Sequence, residues 1–166
     1  DDLPEDPRQA DIAIVEGLGW LERHQFADGM WSARSFLLAC PGTLCLDKGG
    51  ETNDVAITAL ATLAILESPH ALAIVERESA GKALRWLLSR QDAEGCFGPR
   101  EGKYVYGHAI ATLAFCRAMS VLGDPVAKIH ARRGVRFLEA ARNPKSGWRY
   151  GALSGESDTM SPRGRE

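Results

Sequence analysis

At 166 residues and 18.0 kDa the chain fits one domain, large enough to bury roughly 69% of its unfolded surface on folding. Apolar residues make up 45% and charged residues 25%, with 20 Lys and Arg against 22 Asp and Glu, which excludes disorder, collagen and a disulfide-dense miniprotein. A net charge of -2 and the absence of a basic run longer than Arg132-Arg133 leave no footprint for a phosphate backbone, so no nucleic acid is expected as a partner.

Residues 1–10 open without Met as Asp1-Asp2-Leu3-Pro4-Glu5-Asp6-Pro7, an acidic linker or tail rather than a signal peptide, and the chain reads as cut from something longer. Residues 11–160 form the expected repeat domain, and residues 161–166 a polar tail. The longest apolar run, Val55 to Leu66, is too short for a bilayer, which needs about 20 residues. It reads as a buried helix, and no transmembrane segment is expected. Four cysteines are too few to define a compartment.

Three segments share one pattern. The first runs from Gly17-Leu18-Gly19-Trp20-Leu21 through Gln25 and Gly29 to Trp31. The second runs from Ala83-Leu84-Arg85-Trp86-Leu87 through Gln91 and Gly95 to Phe97, and the third from Gly134-Val135-Arg136-Phe137-Leu138 through Arg142 and Gly147 to Trp148. Apolar residues at helical spacing precede each Gln or Arg, so each segment is a helix ending in a polar turn, where glycine takes the positive φ of a helix C-terminus. After the turn comes an alanine-rich helix, from Asn53-Asp54 in the first copy and from His108 in the second, apolar nearly all round and therefore read as enclosed by others. The more charged helices form an outer layer. In the third copy Asp158-Thr159-Met160 is followed by Ser161-Pro162, so the count is two full helical hairpins and one outer helix, about five helices. An insertion near residues 32–50 contains Cys40 and Cys45.

The Gln-x3-Gly-x-Trp/Phe spacing after a Trp-Leu helix resembles the prenyltransferase and squalene oxidase repeat, the unit of α/α toroids. Tyr106-Gly107-His108-Ala109-Ile110-Ala111-Thr112-Leu113 and Gly147-Trp148-Arg149-Tyr150 look most like bacterial repeat proteins related to squalene-hopene cyclases. The resemblance implies an all-α partial toroid with inner and outer layers in stacked hairpins. It also brings the chemistry of the relatives into question. A terpene cyclase needs an Asp-x-Asp-Asp acid, which does not occur here. A protein prenyltransferase holds zinc on Asp, Cys and His, and Glu94-Gly95-Cys96 matches that pattern poorly. An internal thioester needs Gln three residues after Cys, and the four cysteines are followed there by Thr43, Lys48, Pro99 and Met119. Binding or scaffolding without catalysis is the expected role, with a terpene cyclase or prenyltransferase-like domain as the alternative, and no cofactor is expected.

Asp54, His108 and Asp158 are read as sharing one repeat position. They would then converge as a metal or acid/base cluster, or else Asp54 and Asp158 cap helices while His108 packs beside Tyr106. Cys40 and Cys45 would form a disulfide, bind metal with His24, or stay separate thiols; no second Cys pair completes a tetrahedral set. Trp31, Phe97 and Trp148 are read as interlayer packing, with Tyr104, Tyr106 and Tyr150 as better ligand contacts. Partners are expected to be another protein, the remainder of a larger toroid, or a second copy, because the outer helix near 126–141 carries Val126, Ile129, Val135, Phe137 and Leu138, a stripe left partly uncovered unless the tail folds back over Ile129 and Leu138.

Overall fold

The computed structural model describes residues 7–42, 45, 49–50, 52–68, 74–143 and 147–148. Among them are five α-helices and no strand: α1 (Pro7–Arg23), α2 (Asp54–Glu67), α3 (Ile74–Leu88), α4 (Tyr104–Leu122) and α5 (Pro125–Ala140). The insertion contributes one 3-10 turn, Phe36–Leu38. α1 begins inside the stretch read as linker. The sharpest boundary lies between α4 and α5. Gly123 ends α4 at φ 66, and the Asp124 carboxylate then accepts the Val126 N–H at 2.8 Å with Pro125 at the first helical position.

α2 and α4 pack against each other at the centre, with α3 against α2, α5 against α4, and α1 in only light contact with α2. The tightly packed hairpins are thus α2–α3 and α4–α5, not the pairing of each outer helix with the inner helix that follows it. The reason is local: two residues join α4 to α5, whereas the turns after α1 and α3 are long enough to separate the helices they connect.

The central pair is built from small side chains. Ala59, Ala111, Ala114 and Ala118 are fully buried, with Ile65 and Phe115 filling the space between layers; small residues let two helices approach closely, and larger ones fill what remains. These helices are not enclosed all round, because Leu60, Tyr106 and Leu113 are exposed. Being apolar on most faces, they have more apolar surface than their neighbours cover. By length and composition α4 would also suffice to cross a bilayer; in the fold it is the helix between α2 and α5, carrying buried His108 and Thr112.

The repeated glutamine explains how successive outer helices are spaced. Gln25 Nε2 donates to the Gly29 carbonyl at 3.0 Å and the Ser79 carbonyl at 2.9 Å, and its Oε1 accepts from Ser79 Oγ at 2.7 Å. Gln91 repeats this one unit later, donating to Gly95 O and His130 O, both at 3.1 Å, while His130 Nδ1 donates to its Oε1 at 2.5 Å. Each carboxamide therefore ties its own turn to the next outer helix. The glycines make the close approach possible: a Cβ on Gly29 would lie 2.4 Å from Lys82 O, and one on Gly95 2.6 Å from Arg133 O, at φ +100 and +98. Gly147 is not their counterpart. The bond from Asn143 N–H to Gly147 O matches those from Phe26 N–H to Met30 O and Asp92 N–H to Cys96 O, which aligns Gly147 with Met30 and Cys96.

Removing the carboxamide in Gln91→Ala deprives the Gly95 carbonyl and the His130 Nδ1–H of this partner in a partly buried seam. Urea denaturation should show a loss of about 1–3 kcal/mol in unfolding free energy. A midpoint equal to that of the parent would contradict the role given to this side chain.

Candidate functional site

His108 is fully buried, and both ring nitrogens are engaged. Nδ1 accepts the Phe97 N–H at 3.0 Å, so Nε2 carries the proton and donates to Gly134 O at 3.1 Å. In the first unit Thr58 Oγ1 accepts the Trp31 N–H at 3.0 Å. One turn further along, Thr62 donates to Thr58 O and Thr112 donates to His108 O. His108 thus corresponds to Thr58, not Asp54, and the proposed sharing of one repeat position is corrected by one helical turn. Gly134 lets α5 approach α4 closely beside this bond, since a Cβ there would stand 2.5 Å from Thr112 Oγ1. The ring packs between Phe97 and Phe137, at centroid distances of 5.8 and 4.7 Å, rather than beside exposed Tyr106. Burial pushes its pKa below the usual 6.5, opposed by the bond to the Gly134 carbonyl.

Asp54 does not join it. It stands in the first turn of α2, where Asn53 is the N-cap and makes no side-chain capping bond, so the capping role assigned to Asp54 is also corrected. Its Oδ1 is buried without a hydrogen-bond partner. Asp158 and Tyr150 lie outside the described residues. Tyr104 faces Phe137 at 6.5 Å and Tyr106 is exposed, so the tyrosines do not form one described surface.

Trp31 and Phe97 are buried as interlayer packing. Trp31 Nε1 donates to Leu21 O at 2.7 Å, and Trp148 Nε1 donates to Leu138 O at the same distance. The third copy thus has the same local turn, yet Trp148 is 54% exposed where Trp31 is 3% exposed. Of the outer-helix markers, Trp86 and Phe137 are buried, while Trp20 is exposed and stacks on His24. Arg142, in the place of the glutamines, is exposed.

All four cysteines are free. Cys96 is buried, and desolvation, with Asp92 adding to it, pushes its thiol up to about 11; it is an inert packing residue. Cys40 and Cys45 instead come together with His24 at the end of α1. Hydrogen bonding with the Gly42 backbone, then with Cys45 and His24, holds the Cys40 thiol at about 7, while sharing with Cys40 pushes Cys45 up.

A groove of about 450 Å³ runs between α4 and α5, lined by Cys116, Met119, Ala131 and Val135 and edged by Lys128, Arg132 and Arg136. Val135 is 39% exposed, whereas its counterpart Leu84 on α3 is 7% exposed and belongs to the core with Ala114 and Ala118 of α4.

In comparisons with known proteins, no family model matches the chain and no curated protein matches it.

His108 has a pH consequence. Because its folded pKa is depressed, the stability it contributes is present above 6.5 and is lost as pH falls through that value toward the folded pKa. Thermal melts between pH 7.5 and 5 should fall more steeply for the parent than for His108→Gln. Parallel pH profiles would contradict a neutral, buried His108.

Proposed function

We propose that the chain is a noncatalytic helical-repeat domain that binds or scaffolds, and that its α4–α5 end receives a further helix of the α2/α4 kind, as in an α/α toroid of the prenyltransferase and squalene oxidase repeat type. The observation that carries this reading is the mismatch between equivalent positions. α4 packs on α2, and Leu84 of α3 is buried in the core that includes Ala114 and Ala118 of α4, while the corresponding face of α4 and α5 has no cover among the described residues. Val135 there stands in place of buried Leu84, and Trp148 in place of buried Trp31 and Phe97.

The groove chemistry suits such an occupant. Its floor of Cys116, Met119, Ala131 and Val135 favours a helix with small and branched apolar side chains, and its three cationic edges favour acidic residues flanking that stripe. In this reading His108 is structural: both its nitrogens are occupied in joining α4 to the Phe97 turn and to α5.

In the isolated chain the nearest source of a complementary apolar surface is a second copy. Sedimentation velocity over a concentration series should show reversible self-association, weakened by Val135→Glu or Ile129→Glu, both of which change exposed side chains. A monomer at every concentration, or association indifferent to both substitutions, would overturn the reading.

A further inference from the structure

Three side chains, one just after α1 and two from the insertion, converge at the C-terminus of α1. The ligating atoms of His24, Cys40 and Cys45 all lie within 4.8 Å of one another, and His24 Nε2 is 3.2 Å from Cys45 Sγ. The imidazole is oriented from its other side. Nδ1 stands 2.8 Å from the Trp20 carbonyl, an acceptor, so Nδ1 carries the proton and Nε2 directs its lone pair at the sulfurs. Stacking on Trp20 at a centroid distance of 4.0 Å fixes the ring plane, and the residue is 3% exposed. A backbone carbonyl holding the outer N–H of an imidazole is the usual support of a metal-bound histidine.

We propose that His24 Nε2, Cys40 Sγ and Cys45 Sγ bind one zinc ion, with the fourth position open to water or another ligand. Two sulfurs and an imidazole select a soft or borderline ion over magnesium or calcium. Tetrahedral zinc with bonds near 2.0–2.3 Å sets its ligand atoms about 3.6–3.8 Å apart. One spacing is 3.2 Å and none exceeds 4.8 Å, so small side-chain rotations complete the set. Binding is balanced in charge: each thiol gives up one proton, the neutral imidazole gives up none, and two thiolates offset the two positive charges of the ion. The ion would clasp the insertion onto the end of α1, at the opposite end of the helix array from the α4–α5 groove, and the site stands independently of the function proposed above.

The test uses the full chain, reduced and freed of metal by a chelator. Titration with zinc against a chromophoric competitor should give one ion per chain, and cobalt should give thiolate-to-metal charge-transfer absorption with the visible bands of a tetrahedral site. Cys40→Ser and Cys45→Ser should each abolish the stoichiometric site, whereas Cys116→Ser should leave it intact; far-ultraviolet circular dichroism checks that each variant is folded. His24→Ala should remove the cobalt bands, and Cys45→Ser keeps the test decisive if that variant unfolds. Absence of stoichiometric binding in the reduced chain, retention of binding in folded Cys40→Ser and Cys45→Ser, or isolation of a Cys40–Cys45 disulfide with no zinc affinity after reduction would overturn the proposal.

Discussion

The arrangement depends on one carboxamide per unit. A glutamine side chain offers two N–H donors and one carbonyl acceptor. Gln25 and Gln91 use both capacities across the same seam, binding the carbonyl of their own turn and both main chain and side chain of the next outer helix. The partner changes from Ser79 to His130 without changing the geometry, because either can donate to Oε1. The seam closes only where the turn has no Cβ, which is why Gly29 and Gly95 meet the Lys82 and Arg133 carbonyls so closely. Arg133 strengthens the second seam from the opposite side, donating to Asp92 O and Ala93 O at 2.7 and 3.1 Å.

With the outer helices spaced in this way, each turn hangs its aromatic residue between layers, and the inner helix supplies the group that holds it. Thr58 does so for Trp31 and His108 for Phe97. The exchange of a hydroxyl for an imidazole is accompanied by Gly134 on α5 where α3 has Ala83. The imidazole accepts the turn N–H as the hydroxyl does and in addition uses Nε2–H to reach the buried Gly134 carbonyl. Units linked to neighbours in this manner behave as a nearly one-dimensional array, in which the ends differ energetically from the interior. Exposed Ile12, Ile14 and Val15 on α1, with Val126, Ile129 and Val135 on α5, mark the two ends of the described array.

The helices and the repeat were legible because Trp20, Trp86 and Phe137 recur with Gln25, Gln91 and Arg142 at one spacing, and the glutamine bonds to the turns follow from that recurrence. The alignment of the inner helices was not legible. Asp54 and His108 both open an alanine-rich stretch, but α4 starts at Tyr104, and nothing in a threonine and a histidine reveals that each accepts the same backbone N–H. Helix pairing was hidden for a related reason: sequence order suggests an outer helix followed by its inner partner, whereas loop length decides which neighbours pack. The residue types of the His24, Cys40 and Cys45 cluster were visible, while their convergence depends on how the insertion returns to α1. Phe137 was expected on a partly open helix, yet it is buried by His108 against its edge and Arg100 over its face.

The most direct test of the seam is a double-mutant cycle on Gln91→Ala and His130→Ala, measured by chemical denaturation. A shared bond across α3 and α5 predicts a coupling of about 0.5–3 kcal/mol, with the double variant less destabilised than the sum of the two single ones. Additive effects, with no coupling between the two positions, would contradict the account that this carboxamide joins one unit to the next.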